Sequence, residues 1–144
     1  MDIEEIEKIF NTGERQQIEM MARNILVHGR THEYMKSLSL YSERFSHLLS
    51  QTNSGDKEYL TLVYILSEHL NELSSGACAC SIVDKPMFNS PDRLTGILEI
   101  LEEKLDPKEY SIWNHSRCLS CGNEYESKCV ESGFGQKVLW NKYS

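Results

Sequence analysis

The chain has 144 residues, a formal charge of −7, a pI near 5.2, 40% hydrophobic and 26% charged residues. This length can bury a core, as one domain or as a helical subdomain beside a smaller one, and the composition excludes a disordered tail. The acidic balance argues against coating nucleic acid, whose phosphates demand a basic surface. It suits a basic protein partner, most of all through residues 1–74, which carry net −5 against −2 for residues 75–144.

The N-terminus, Met1-Asp2-Ile3-Glu4-Glu5, is acidic where a secretory signal is basic and then apolar. The longest apolar stretch, residues 60–66, falls far short of the roughly twenty residues that span a bilayer. The expectation is a cytoplasmic protein with no membrane association, in a compartment that keeps thiols reduced.

Ile3, Ile6, Ile9 and Phe10 recur at helical spacing up to Asn11-Thr12-Gly13, and Thr12 is placed to cap the next helix. That helix carries Ile18, Met21, Ala22, Ile25 and Leu26, with Gly29 as its stop. Thr31 is placed to cap a third helix with Tyr34, Met35, Leu38, Tyr41, Phe45, Leu48 and Leu49 on its apolar side. Thr52-Asn53-Ser54-Gly55-Asp56 reads as a loop, and a fourth helix follows with Tyr59, Leu62, Val63, Leu66, His69, Leu70 and Leu73. It stops at Ser74-Ser75-Gly76, where the composition changes. Short loops favour antiparallel neighbours.

Residues 77–83 read as a short extended segment, and 84–92 as a turn-rich one with Pro86 and Pro91. Residues 94–105 fit two periods: Leu94, Ile97, Leu98, Leu101 and Leu105 suit a helix, whereas Ile97, Glu99, Leu101 and Glu103 alternate as in a strand. From Tyr110 the signals are β, at 110–113, 123–126 and 137–140, with a turn at Ser132-Gly133-Phe134-Gly135. The fold expected is α+β, an antiparallel helical subdomain over residues 1–74 packed on a small zinc-stabilised β subdomain over residues 75–144.

Specific chemistry is carried by cysteines. Cys78-Ala79-Cys80 and Cys118-Leu119-Ser120-Cys121 form two pairs separated by 37 residues, and Gly122 follows the second. A C-x-x-C-G turn converges two thiolates, because glycine tolerates the backbone that follows the second ligand. A C-x-C pair does the same in an extended segment, where i and i+2 share a side. Cys78, Cys80, Cys118 and Cys121 are therefore the candidate ligands of a structural Zn2+ site. Rival readings are small reduced core residues, a redox C-x-x-C, which lacks the strand-to-helix context that lowers a thiol pKa, and an iron–sulfur cluster. Cys129 is a spare, and His115 is the alternative ligand. Four protein ligands close the coordination, which argues for structure over hydrolysis.

No catalytic residue emerges. His28 and His32 are i, i+4 with Gly29 between them, His47 and His69 lie on helical stripes, and Glu99, Glu102, Glu103 and Asp106 read as a solvated face. No nucleophile elbow or phosphate-binding glycine pattern is present in the sequence. The chain is expected not to be an enzyme.

Residues 118–144, together with the upstream C-x-C and the segment Gly96-Ile97-Leu98-Glu99-Ile100, resemble small bacterial immunity proteins of polymorphic toxin and contact-dependent growth inhibition systems. The likeness covers about the last 70 residues; Cys129 and a less aromatic final turn depart from it. The resemblance implies a protein that binds a co-produced toxin domain, such as a basic nuclease, and blocks it, and it favours a strand over 95–104. Glu4, Glu5, Glu7, Glu14 and Glu19 are then candidate contacts, equally readable as a solvated face. The alternative is a zinc-ribbon adaptor that binds nucleic acid or a transcription or translation complex through Lys128, Lys137 and Lys142.

Overall fold

A computed structural model describes residues 1–27, 31–52, 61–85, 90–132 and 135–143. The fold is α+β, helices first and then a four-stranded antiparallel sheet. The chain resolves into two units, Met1–Ala79 and Cys80–Ser144, a division a few residues beyond the change in composition at Ser74.

In the first unit α1 (Ile3–Thr12) is capped by Asp2, whose carboxylate accepts from the Glu5 N–H. Thr12 does not cap the next helix. It is the last residue of α1, and its hydroxyl donates back to the Lys8 carbonyl. α2 (Arg15–Val27) instead starts with Gln17 Oε1 accepting from the Glu14 N–H at 2.9 Å. Thr31 caps α3 (His32–Ser39) as expected, accepting from the Tyr34 N–H at 3.1 Å.

The single helix expected over 34–49 is two, α3 and α4 (Ser42–Ser50), broken at Leu40-Tyr41. Its serines supply the reason. Ser37 and Ser39 donate to the carbonyls of Tyr34 and Lys36, which favours turns over a continuing helix. α5 (Thr61–Ser74) ends with the Gly76 N–H on Leu73 O and the Ala77 N–H on Glu72 O, a paired closure that places Gly76 at φ 102°. The stop expected at Gly29 and the loop at residues 53–56 lie outside the described residues.

The core of this unit is apolar. α5 packs on α2, α3 and α4, and α1 on α2 and α4. Ile6, Ala22, Leu26, Phe45, Val63, Leu66 and Leu70 are fully buried, and the rings of Phe10 and Phe45 meet edge to face at 5.4 Å. His69 is buried in α5 with Nδ1 4.0 Å from Glu72 Oε2, and His47 is exposed beside Gln51.

The second unit opens with two 3-10 helices, Ala79–Asp84 and Pro91–Leu94. The extended segment expected at 77–83 is therefore a helical turn, which buries Ala79, Cys80, Ile82 and Val83. The strands β1 (Leu98–Asp106), β2 (Ser111–Cys118), β3 (Glu124–Ser132) and β4 (Gly135–Lys142) form a meander in sequence order. Residues 98–106 are a strand, and the helical period in that segment is set aside. Its register on β2 shifts between Ile100 and Glu102, so Leu101 is the extra residue of a bulge. Asp106 closes the β1–β2 turn by accepting from the N–H groups of Lys108 and Glu109. Residues 133 and 134 of the last turn lie outside the described ones, and Ser132 pairs with Gly135.

The sheet has one buried and one polar face. Asn114 lies opposite Ser127, and Ser116 opposite Tyr125; all four are buried. On the other side Trp113 donates to Glu126 at 3.0 Å, His115 meets Glu124 at 3.1 Å, and Arg117 meets Glu99 at 3.1 Å. No helix among the described residues is long and apolar enough to cross a membrane.

Candidate metal centre

Cys118 ends β2, and the chain turns sharply there to begin β3 at Glu124. The Cys118 N–H donates to Asn123 O at 2.8 Å, and the Gly122 N–H to Cys118 O at 3.2 Å. Gly122 has φ 78°, in the left-handed region that a side chain would strain. Inside this turn the N–H groups of Ser120 and Cys121 both point at Cys118 Sγ, each at 3.4 Å. Two backbone donors thus hold the direction of one sulfur. The C-x-x-C-G segment is a preformed knuckle.

The C-x-C pair arrives at the first 3-10 helix, with Cys78 just ahead of it and Cys80 within it. The four sulfurs of Cys78, Cys80, Cys118 and Cys121 all lie within 4.8 Å of one another. Cys80 and Cys118 are buried, Cys78 is half-buried and Cys121 is exposed. Every cysteine named from its spacing reaches the cluster. Four converging thiols can hold one metal ion and leave it no open position.

Tyr125, which spacing alone gave no reason to single out, completes the site. Its hydroxyl lies 3.0 Å from Cys80 Sγ, and Cys80 Sγ is 3.6 Å from that of Cys121. Burial, then the hydrogen bond to Cys80, holds the Tyr125 hydroxyl well above its usual range, so it keeps its proton and can donate it to a Cys80 thiolate. Such outer contacts fix ligand direction and tune the metal. The signal was present in the sequence only as an aromatic two residues into the strand after the knuckle.

His115 and Cys129 stand apart. His115 precedes Cys118 by three residues on one strand, so the two point to opposite faces; its ring instead meets Glu124 and the Tyr143 ring at 4.9 Å. Cys129 shares the face of Cys118 but pairs with Ile112, about 20 Å along β2 at about 3.3 Å per residue. Its thiol is raised first by burial, then by Asp92 and Glu103, which is the opposite of a reactive thiolate.

Of the acidic residues proposed as contacts, Glu4, Glu5 and Glu14 are exposed. Glu7 is ion-paired with Arg44, and Glu19 accepts from the N–H groups of Leu62 and Val63 near the start of α5. The last two have structural employment. Glu99, Glu102, Glu103 and Asp106 are exposed along β1, as a solvated face requires. Comparison with protein-family models, curated proteins and solved structures gives no match to this chain.

Proposed function

We propose that the metal is a structural Zn2+ and that the chain is an immunity protein, which binds and neutralises a basic toxin domain in the bacterial cytoplasm through its surface. The zinc assignment rests on donor type and spacing. Tetrahedral Zn–S bonds of about 2.3 Å put ligand sulfurs about 3.8 Å apart, and the Cys80–Cys121 separation of 3.6 Å is close to that. Four thiolates in a tetrahedron also suit an iron–sulfur centre, so metal analysis of purified protein is the direct test: about one zinc per chain, lost in Cys118→Ser.

The observation that carries the functional reading is the closed centre. It commits the cysteine chemistry to architecture and leaves the surface to act, and that surface is acidic, with a chain charge of −7. Opposite charge speeds encounter with a basic partner and selects against acidic ones. A nucleic-acid adaptor is less well served. Lys128 is paired with Glu109 at 2.7 Å and Arg117 with Glu99, and the chain's net charge of −7 opposes binding to phosphates.

Co-purification from the native host, with mass identification, tests the reading. A stoichiometric basic protein whose toxicity is relieved by co-expression of this chain is expected. Recovery of nucleic acid without a stoichiometric protein overturns it.

A further inference from the structure

Strand β1 presents an unusual edge. It ends the sheet, and among the described residues its outer side pairs with no strand. Its nine residues are exposed from Glu99 to Asp106 after a single buried Leu98. A strand edge is a row of N–H and C=O groups ready to pair with another chain, and long apolar edges are usually covered or blunted. Here Ile100, Leu101 and Leu105 are 37%, 40% and 70% exposed along it. Interleaved with them are four carboxylates, Glu99, Glu102, Glu103 and Asp106, against one cation, Lys104. Glu99 meets Arg117 at 3.1 Å and Glu102 meets Lys104 at 3.4 Å, both pairs exposed enough for a partner's cation to compete. Asp106 also accepts within the β1–β2 turn.

The opposite edge has the other sign. β4, with sequence GQKVLWNK, carries Lys137 and Lys142 and no carboxylate. Two copies joined β1 to β1 about a two-fold axis would set carboxylates against carboxylates, and β4 to β4 would set lysine against lysine; like charges across strands destabilise. Pairing β1 with β4 of another copy is head-to-tail, giving a ring or an open filament, and a net charge of −7 opposes it by self-repulsion. A strand from a different, basic protein meets none of these objections.

A second feature lies at the end of the same edge. A groove of about 310 Å³ opens beside Leu105, Pro107, Tyr110, Ile112 and Cys129, next to the β1–β2 turn that Asp106 closes. It is a slot with an apolar floor at the β1–β2 end of the sheet. The aliphatic stem of a lysine or arginine fits such a slot, with its cation left at the surface near the β1 carboxylates.

We infer that the outer edge of β1 is a docking site for an extended, lysine- or arginine-bearing strand of a protein partner, which extends the sheet by main-chain pairing. The carboxylates of Glu99, Glu102, Glu103 and Asp106 select the sign of that strand, and the groove beside Leu105 and Ile112 receives the aliphatic stem of one of its side chains. Strand addition of this kind draws affinity from main-chain hydrogen bonds and specificity from alternate side chains. The inference deepens the toxin-binding reading and rests on it only for the identity of the partner.

The test uses the full metal-loaded chain and two synthetic peptides of β1's length, one alternating valine with lysine and one alternating valine with glutamate. Fluorescence anisotropy measures binding, and hydrogen exchange locates it. The expected result is binding of the lysine peptide at least about tenfold tighter than the glutamate peptide, with salt weakening it and new amide protection in β1. The double variant Glu102→Lys, Glu103→Lys, on exposed positions that leave the fold intact, reverses the preference. Absence of binding, protection confined to another strand, or a preference unmoved by the double variant overturns the inference. So does concentration-dependent self-association that Lys137→Glu abolishes, because β4 of a second copy is then the occupant. The two readings fail separately. A toxin bound equally by the native chain and the double variant removes the edge and keeps the immunity function, whereas lysine-peptide binding at β1 by a chain that protects against no toxin does the reverse.

Discussion

The helical unit and the sheet unit solve the same problem with different materials. In the first, stripes from α2, α3, α4 and α5 bury Leu26, Met35, Phe45, Leu66 and Leu70, and removal of such surface from water drives folding at roughly 25 cal/mol per Å². In the second, the buried face of the sheet carries Asn114, Ser116 and Ser127 where a sheet of this size needs valines and leucines. Small units with a thin apolar core need a staple. The four thiols beside Tyr125 fill that place, joining the end of β2 to the first 3-10 helix. A metal held by them would staple a sheet whose buried face is polar.

The largest expected effect breaks the comparison outright. Chelation of the metal, or Cys118→Ser, is expected to unfold the sheet unit, since structural zinc contributes on the order of 10 kcal/mol in small domains. Amide exchange in β2 and β3 should become fast while α2 and α5 stay protected; equal loss in both units would mean that the staple serves the whole chain alike. Phe45→Ala cuts the other way. It should cost about 3–5 kcal/mol through the cavity it leaves, with the metal content per chain unchanged in the same preparation.

Tyr125→Phe sharpens the comparison, because it removes one hydroxyl and almost no volume. Loss of its donation to Cys80 should weaken metal affinity by about 10-fold or more, read by competition with a chromophoric chelator. An unchanged affinity would leave Tyr125 as packing only. Gly76→Ala forces a side chain into φ 102° at the end of α5 and should cost about 1–2 kcal/mol in denaturant unfolding. Thr31→Ala, which deletes the α3 cap, should cost about 1 kcal/mol, again without effect on the metal.

What the sequence made legible follows the same division. Helical periods found the first unit's core because one apolar stripe per helix is a strong signal. They could not find the break at Leu40-Tyr41, where serine hydroxyls compete locally with the helix, or see that Thr12 closes one helix and does not open the next. Cysteine spacing named all four members of the cluster, since two short pairs leave few other geometries. It mistook the shape of the first pair: Cys78 and Cys80 converge through a helical turn, which hydrophobic pattern alone does not separate from a short strand. Tyr125 and the acidic edge were illegible for a different reason. Both depend on register, on which residue of one strand stands opposite which residue of the next, and a single chain read in order does not contain it.

The bulge at Leu101 has a consequence for what the β1 edge can and cannot accept. The extra residue divides the strand into two pairing runs, residues 98–100 and 102–106, with a local kink between them. Fibril growth stacks identical flat segments of six or seven residues in unbroken register, and neither run is that long. An edge this exposed is thereby open to a short, matched visitor and closed to endless copies of itself, so a defect in the ladder guards the solubility of the surface it interrupts.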